Sequence, residues 1–413
     1  MFEHIRQWNR ERKLHHKDRV AEKKIQRVKA RIQQRREKGE GKLRICFIVQ
    51  ETTTWEKSKD VYEKLLADDH VTADIFLIPN YQVDDIGKRK IGEYGEEYDF
   101  YHDRYENVID AIDVHGTWLN LQELHYDYIF YSRPYDLLLP EQYRSDVMIE
   151  TSLLGYISYA AGASKNFYRD WVYNPFYRHI YLFFCSVAYE KELLEHRFQQ
   201  SEYVRHIFFK GYPEWKRYLE LPHVSPINDT LTILWTPRWT IDAKLGGSHF
   251  LEYSEKFLDL RKKYPRANLI IRPHPLMFQH FVSEGIITKE WELDYRRRLE
   301  DSHIELDEGA SLYDTFKRTD ILITDISSII FAFFITGKPV IYCPFDVEYI
   351  PEFDEILKTL YIADGWLDVL KTLDDIYRGD DIMKDKRMLL ISTNYEYHID
   401  AAEDIYREII ENI

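Results

Sequence analysis

The chain has 413 residues, of which 45% are hydrophobic and 31% are charged, and its formal net charge is −15 at pH 7. This length exceeds what one hydrophobic core usually holds and predicts two domains. No apolar run approaches the roughly 20 residues of a membrane helix, and the charged N-terminus lacks the apolar segment of a secretory signal. Three widely spaced cysteines argue against a disulfide framework or a zinc site, which indicates a cytoplasmic protein.

Residues 1–41 are basic, with 14 Lys and Arg against 6 Asp and Glu. Good helix formers without Pro or Gly predict a helix over 2–38, on which Ile25, Val28 and Ile32 form a thin apolar stripe. Such a helix could bind an anionic membrane surface, on the inner face of the cell membrane. A solvated or coiled-coil arm that mediates homo-oligomerisation is the alternative. Because the rest of the chain is acidic, we expect no nucleic-acid partner.

Residues 42–222 are predicted to form the first domain. Strands at "LRICFIVQ", "VTADIFLIPN" and "YDYIFYS" alternate with helical stretches such as 58–68, which predicts a parallel sheet covered on both faces. The region 140–200 is rich in aromatic residues, namely Tyr156, Tyr159, Tyr168, Trp171, Tyr173, Tyr177 and Tyr181. These rings could line a groove for a polymeric or lipid-linked acceptor, or they could pack in the core.

A turn at 211–213 and a polar stretch at 222–229 are predicted to lead into a second domain, residues 223–394. Its strands are predicted at "LTILWTPRW", "ANLIIRPHP", "HIELDE", "DILITDISS" and "PVIYCPFD". A last helix, residues 395–413, could cross back to the first domain. Two Rossmann-like domains in one chain predict an α/β protein of GT-B architecture, with a cleft at the carboxyl ends of the strands.

The stretch "ITDISS" interrupts two apolar runs of the second domain. We predict a strand at Ile321–Thr324 and a helix at 329–335, which places Asp325, Ser327 and Ser328 at the turn between them. These residues could be ordinary helix caps, each worth about 0.5–2 kcal/mol. Alternatively, the free N–H groups and the hydroxyls at the helix N-terminus could bind a phosphate.

Two further strands of this domain are predicted to end in cationic residues. "IIRPHP" places Arg272 and His274 after one strand, between prolines that stiffen the turn, and "TPRW" places Arg238 after another. Arg suits the paired oxygens of a phosphate, and His can donate to a leaving oxygen of a pyrophosphate. The sequence therefore predicts an anion site where these strands end.

The series GYP, TPRW, RPHP and LITD-x-SS, followed by GKPVIYCPFD, resembles the C-terminal half of the CDP-glycerol glycerophosphotransferase family over about residues 205–350. The resemblance implies a GT-B enzyme of teichoic-acid or capsule synthesis. It would transfer a polyol phosphate, glycerol phosphate first of all, from a CDP-alcohol donor to a membrane-linked cell-wall or capsule acceptor, and release CMP. It implies a peripheral membrane location that suits residues 1–41. The sequence shows no cluster of carboxylates that would plainly bind Mg²⁺, so we expect no metal and no cofactor.

By this resemblance, the donor's pyrophosphate and polyol would be held by Arg272, His274, Thr324, Asp325, Ser327 and Ser328. We predict that His274 and Asp325 are catalytic, and that Arg238 contacts the donor or the incoming acceptor. Replacing His274 or Asp325 by Ala is expected to reduce turnover and to spare the fold. One departure is Ile326, where the family commonly has Tyr.

A second departure concerns the general base, which the family takes from a His-Gly-Thr motif of the N-terminal domain. This chain has His115-Gly116-Thr117, but upstream of the expected slot, and the slot itself, residues 155–164, contains no His. His115 could reach the site from another loop, or the base could be Glu150 or another group. The donor and the acceptor could also differ from those of the family.

Two other functions remain open at this point. A GT-B glycosyltransferase of capsule or cell-surface polysaccharide synthesis would use a nucleotide sugar and release UDP or GDP. A catalytically silent adaptor would dock a polymerase complex through residues 1–41 and would need no nucleotide site.

Overall fold

A computed structural model describes residues 2–83, 89–91, 93–199, 205–221, 231–243, 246–309, 311–395 and 399–412. The chain divides into two compact units. The first contains residues 1–160, 168–214 and 400–413, and the second contains residues 161–167 and 215–399. The predicted polar link at 222–229 lies outside the described residues.

The strands, in chain order, are β1 (Leu43–Val49), β2 (Val71–Leu77), β3 (Tyr81–Val83), β4 (Arg89–Ile91), β5 (Val108–Asp110), β6 (Tyr128–Tyr131), β7 (Leu153–Ile157), β8 (Ile180–Cys185), β9 (His206–Phe209), β10 (Thr232–Thr236), β11 (Asn268–Ile271), β12 (Glu305–Leu306), β13 (Ile321–Thr324), β14 (Val340–Tyr342) and β15 (Tyr361–Ile362).

The helices are α1 (Phe2–Glu37), α2 (Thr52–Trp55), α3 (Lys59–Leu66), α4 (Glu96–His102), α5 (Ser145–Met148), α6 (Lys165–Val172), α7 (Ala188–Phe198), α8 (Trp215–Leu219), α9 (Phe250–Lys263), α10 (Met277–Ser283), α11 (Lys289–Asp301), α12 (Leu312–Arg318), α13 (Ile329–Ile335), α14 (Pro351–Leu357), α15 (Trp366–Tyr377), α16 (Lys384–Asn394) and α17 (Ala401–Glu411). Short 3₁₀ turns lie at Leu121–Leu124, Asp136–Leu138, Glu141–Tyr143 and Pro175–His179.

The first unit is built on a seven-stranded sheet in the order β5-β2-β1-β6-β7-β8-β9, in which every pair is parallel. Its strands are rich in branched and aromatic residues, and those of β1, β6, β7 and β8 are buried along nearly their whole length. Helices on both faces of a parallel sheet explain this continuous burial. A separate antiparallel pair, β3 and β4, lies beyond β2 in the chain.

Helix α1 confirms the predicted N-terminal helix, but its apolar stripe is not free. Ile25, Val28 and Ile32 are at most 5% exposed and belong to the core of the first unit. The buried Asp18 on the same helix also pairs with Arg178. This apolar stripe is therefore not available to a membrane, because it packs on the helix's own domain.

The C-terminal helix α17 packs in the first unit, although the whole second unit precedes it in the chain. Its Ile405 and Ile409 are fully buried, and the Tyr406 hydroxyl donates to the Asp68 carboxylate over 2.8 Å. The backbone carbonyl of Asn412 accepts from the hydroxyl of Tyr128 over 3.1 Å. The chain therefore returns to its first domain at its end.

The second unit contains a six-stranded parallel sheet in the order β12-β11-β10-β13-β14-β15. The predicted strand Ile321–Thr324 and helix Ile329–Ile335 are confirmed, and the next strand runs from Val340 to Tyr342. Two parallel-sheet units confirm the predicted α/β class. None of the described helices is long and apolar enough to cross a membrane.

Most of the aromatic region 140–200 packs in the core. Four of the seven rings are at most 1% exposed, namely Tyr156, Tyr168, Tyr177 and Tyr181. Tyr159 and Trp171 are half-buried, and their ring centroids lie 5.6 Å apart. Packing therefore accounts for most of these residues, and only a small part of the predicted groove could face a ligand.

Candidate functional site

Three neighbouring strands of the second unit end at one level of the sheet. Thr236 at the end of β10 pairs with Thr324 at the end of β13, and Trp235 pairs with Ile271 at the end of β11. Adjacent strands lie about 4.8 Å apart, so the loops after β10, β11 and β13 begin side by side. The sequence-predicted residues of all three motifs therefore lie at the same carboxyl edge.

Thr324 is fully buried and bonded within the protein. Its hydroxyl accepts from the hydroxyl of Thr236 over 2.7 Å and donates to the backbone carbonyl of Asp325 over 2.8 Å. The Thr324 side chain therefore holds the two strand ends together, and it offers no exposed group to a donor molecule.

Asp325 is 1% exposed and is surrounded by donors. Its carboxylate accepts from the backbone N–H of Arg238 over 3.1 Å, from the Ser248 hydroxyl over 3.2 Å and from Nδ1 of His249 over 2.7 Å. The backbone N–H of His249 adds a longer bond of 3.3 Å. This carboxylate joins the loop after β10 to the turn after β13 and faces away from solvent.

Arg238 spans the same two segments with its side chain. Its guanidinium donates to the backbone carbonyl of Ile326 over 2.6 Å. Burial lowers the pKa of Arg238, and the negative charge of Asp325 partly compensates. Arg238 is therefore a cation fixed beside the turn at 325–328.

The two serines of the turn differ in their surroundings. The Ser327 hydroxyl accepts from the backbone N–H of Ile329 over 3.3 Å, whereas Ser328 is exposed and its side chain caps no backbone group. Helix α13 has only seven residues, six of them buried. The turn thus keeps polar groups near solvent, in contrast to the apolar helix behind it.

The Arg272 guanidinium points away from β13 and towards the loop after β12. It donates to the Asp307 carboxylate over 2.7 Å and to the backbone carbonyl of Gly309 over 2.6 Å, and both residues follow β12. Burial raises the pKa of Asp307, but hydrogen bonds from Thr315 and Arg272 outweigh it, so the pKa lies below its ordinary value. The structure therefore does not bring the Arg272 guanidinium to the serine turn.

His274 lies in the loop after β11 with a defined ring orientation. Its backbone N–H donates to the carbonyl of Pro237 over 3.1 Å, and its Nδ1 accepts from the N–H of Leu276 over 3.2 Å. Loss of hydration and the positive charge of Arg238 lower the pKa of His274 to about 4, although the side chain keeps solvent access. At neutral pH the ring is uncharged, and its proton is on Nε2, because Nδ1 accepts.

His115 and Glu150 lie in the first unit and not in this cluster. His115 is exposed in a tight turn after the edge strand β5, where its N–H donates to Asp113 over 2.8 Å. Glu150 precedes β7, at the amino edge of the sheet, and its hydrogen bonds with Lys24 and Arg27 lower its pKa. An ion-paired carboxylate at the amino edge is poorly placed for a base at the carboxyl edge.

Sequence reasoning missed His249, which the buried Asp325 orients. The two glycines before it, Gly246 and Gly247, have φ values of +103° and +61°. A Cβ on Gly246 would lie 2.3 Å from Cγ2 of Ile326, and one on Gly247 would lie 2.4 Å from the ring of Phe345. The pair "GG" before Ser248 was the available signal, because glycine permits this close approach of the loop to the turn.

A polar cluster at the carboxyl edge of the first sheet was also missed. Arg133 after β6 donates to the Glu51 carboxylate and, over 2.8 Å, to Gln50, both of which follow β1. The Asn80 amide donates to Glu51 over 3.1 Å. The charges of Arg133 and Glu51 neutralise each other. The cluster lies in the domain to which the sequence assigns the acceptor.

Residues 210–362, less than half of the chain, match the family model described as CDP-glycerol:poly(glycerophosphate) glycerophosphotransferase. This confirms the resemblance. The matched residues include the loops after β10, β11 and β13, and therefore the whole cluster around Asp325. No curated protein sequence matches the chain.

Several solved structures share the fold. The UDP-N-acetylglucosamine 2-epimerase of Neisseria meningitidis, bound to UDP-GlcNAc, is 13% identical, with a TM-score of 0.56 over 90% of this chain and 100% of that one. The wall teichoic acid polymerase TagF, soaked with CDPG, is 14% identical, with a TM-score of 0.50 over 90% and 89%. A glycosyltransferase of Rickettsia africae is 13% identical, with a TM-score of 0.50 over 90% and 100%. These likenesses show the predicted GT-B fold.

Proposed function

We propose that this protein is a transferase that moves glycerol phosphate, or a related polyol phosphate, from a CDP-alcohol to an acceptor hydroxyl and releases CMP. One observation carries the proposal: the family match over 210–362 encloses the strand ends where His274, Arg238 and the turn at 325–328 converge. The donor's pyrophosphate would lie against these groups.

The chemistry would be an in-line displacement at the β-phosphorus. The acceptor oxygen forms a bond to this phosphorus while the bond to the oxygen that bridges to the α-phosphate breaks, and the electron pair leaves with CMP. Such transfer depends mainly on positioning and on stabilisation of the leaving charge. The neutral His274 would donate from Nε2 to a leaving-phosphate oxygen, and the Ser327 and Ser328 hydroxyls and nearby N–H groups would hold the others.

The acceptor would be a polymer of the cell wall or capsule, linked to a membrane. Exposed cations of α1, such as Lys17, Arg19 and Lys23, could attract an anionic bilayer at about 1 kcal/mol for each cation near the surface. Because the stripe at Ile25–Ile32 is buried, this attraction would be electrostatic and sensitive to salt. The protein would then act on the inner face of the membrane, alone or as a homo-oligomer.

The released nucleotide tests the proposal. The protein is incubated with CDP-glycerol, UDP-GlcNAc and other nucleotide sugars, and the products are separated by chromatography. Release of CMP from CDP-glycerol supports the proposal, whereas release of UDP or GDP would favour a glycosyltransferase. Failure of every nucleotide to bind would leave an adaptor as the function.

Two variants make the test specific to the site. His274→Ala removes the Nε2–H donor and should lower CMP release about 10²-fold or more. His303→Asn is the control, because His303 is exposed before β12, at the opposite edge of the same sheet, and Asn tolerates its φ of +52°. Equal CMP release by wild type and His274→Ala would refute the role of His274.

A further inference from the structure

His249 is held in the arrangement typical of a general base. Its Nδ1 lies 2.7 Å from the Asp325 carboxylate, so Nδ1 carries the proton and donates it. The ring packs between Tyr253 and Phe345, with centroid distances of 4.9 Å and 4.4 Å. An imidazole fixed by a carboxylate on Nδ1 presents an unprotonated Nε2.

The other ring nitrogen is open. Within the described part of the chain, Nε2 of His249 has no hydrogen-bond partner, and this nitrogen is not buried. The side chain as a whole is 14% exposed. The accessible part of an otherwise packed ring therefore includes the nitrogen that can accept a proton.

His249 and His274 have opposite tautomers at one sheet edge. Nδ1 of His274 accepts from a backbone N–H, so its Nε2 is a donor, whereas Nδ1 of His249 donates to Asp325, so its Nε2 is an acceptor. Arg238 interacts with both sites. Its positive charge lowers the pKa of His274, and its backbone N–H donates to Asp325, the partner of His249. One edge thus carries a proton donor and a proton acceptor.

We propose that Nε2 of His249 is the general base that deprotonates the acceptor hydroxyl, and that Asp325 is the positioning residue that orients it. This rests on the transferase function proposed above and supplies a base from the donor-binding unit itself, in place of Glu150, which is ion-paired at the amino edge of its sheet. In the step, the acceptor O–H bond breaks and its proton passes to Nε2. The new O–P bond forms at the β-phosphorus, the bond to the bridging oxygen breaks, and CMP leaves with the electron pair.

Among the described residues, a few charged and titratable groups surround His249. Asp325 faces it from the turn after β13, and Arg238 lies behind that carboxylate. On α9, Tyr253 stacks on the His249 ring, and Tyr253 in turn interacts with Glu252 and with Cys343, the residue after β14. Burial raises the pKa of both Tyr253 and Cys343, so these two stay neutral at the pH of the assay. A general base at Nε2 of His249 predicts a rate profile with an acidic limb, which a side chain without an acceptor nitrogen should remove.

The experiment compares wild type, His249→Asn and the control His303→Asn. The Asn side-chain N–H can keep the bond to Asp325 that Nδ1 makes, but it lacks the acceptor nitrogen. CMP release from CDP-glycerol is measured between pH 5 and 9 with glycerol as a surrogate acceptor, and CDP-glycerol binding is measured by thermal shift. We expect His249→Asn to bind CDP-glycerol like wild type, to turn over about 10²–10⁴-fold more slowly, and to lose the acidic limb.

Wild-type turnover and an unchanged acidic limb in His249→Asn would overturn the assignment while leaving the proposed function intact. A wild-type protein that does not bind CDP-glycerol would overturn both. If glycerol is not accepted, diethyl pyrocarbonate labelling replaces turnover as the readout, since it modifies accessible unprotonated imidazole nitrogens. Saturating CDP-glycerol should slow the labelling of His249 but not of His303, and equal labelling of His249 with and without CDP-glycerol would contradict the proposal.

Discussion

The guanidinium of Arg238 donates a hydrogen bond of 2.6 Å to the backbone carbonyl of Ile326. This bond joins the loop after β10 to the turn after β13, and it fixes a positive charge close to His274. The carboxylate of Asp325 binds the backbone of Arg238 from the other side. The proposed donor site therefore depends on one arginine that joins two loops and also contributes to the lowered pKa of His274 on a third loop.

Removing this charge should change the titration of His274. The pKa of His274 is lowered first by loss of hydration and second by Arg238, so Arg238→Met should raise it from about 4 part of the way towards 6.5. The His274 ring resonances, followed by NMR between pH 3 and 8, measure the shift. Arg297→Met, on the exposed face of α11, is the control and should leave His274 unchanged.

Asp325 should be a determinant of stability as well as of turnover. Asp325→Ala leaves the N–H groups of Arg238 and His249 and the Ser248 hydroxyl without their acceptor inside the protein. We expect a loss of about 3 kcal/mol or more in the free energy of unfolding, because each buried donor left unpaired costs about 1–3 kcal/mol. This replaces the sequence-based expectation that Asp325→Ala spares the fold.

Urea denaturation followed by tryptophan fluorescence measures this loss. Asp346→Ala is the matched control, since Asp346 is exposed in the loop after β14 and its replacement should change stability by no more than about 0.5 kcal/mol. A variant Asp325→Ala as stable as this control would show that the hydrogen bonds to Asp325 contribute little.

Glu190 should make the stability of the first unit depend on pH. Burial raises the pKa of Glu190 to about 7, although hydrogen bonds from Ser158 and Ser186 act in the other direction. The folded state thus holds a proton that the unfolded state loses near pH 4.5, so this contribution is complete below pH 4.5 and disappears as the pH rises through 7. The change amounts to up to about 3 kcal/mol.

Glu190→Gln, which cannot titrate, should remove this dependence. The unfolding free energies of wild type and Glu190→Gln are measured at pH 5 and pH 8. Relative to Glu190→Gln, the wild type should be less stable at pH 8 than at pH 5. Glu192→Gln on the exposed face of α7 serves as the control. A difference that is the same at both pH values would mean that Glu190 titrates normally.

The sequence predicted β13 and α13 to the residue, because a branched apolar run marks the strand and Gly337 ends the helix. It could not predict where the Arg272 side chain points, since its partner Asp307 lies in the loop after β12, 35 positions further along the chain. His249 was missed for the same reason, because its partner Asp325 lies 76 positions away. Local pattern specifies the elements, whereas pairing between loops appears only once the sheet is assembled.

The apolar stripe of α1 gives a similar lesson. The spacing of Ile25, Val28 and Ile32 correctly indicated one apolar face, but the surface that covers it comes from residues more than 100 positions away. Spacing alone therefore could not distinguish a membrane from the domain's own core.

Shortening this stripe should destabilise the protein. Ile32→Ala should lower the unfolding free energy by about 2–5 kcal/mol, because it removes buried methyl groups and leaves a cavity. Val20→Ala, on the same helix at 44% exposure, should change stability by no more than about 0.5 kcal/mol. Both variants should bind anionic vesicles as wild type does. If the two variants are equally stable, the stripe does not pack in the core and could contact a membrane.

The equilibrium affinity for CDP-glycerol, measured by calorimetry on wild type and on His274→Ala, tests the central claim most directly. If the donor's pyrophosphate accepts a hydrogen bond from Nε2 of His274, wild type should bind CDP-glycerol, and the variant should bind it about tenfold more weakly or worse, since a bond to a charged group contributes about 1.5–3 kcal/mol. Absence of binding by wild type, or equal affinity of the two proteins, would contradict the account.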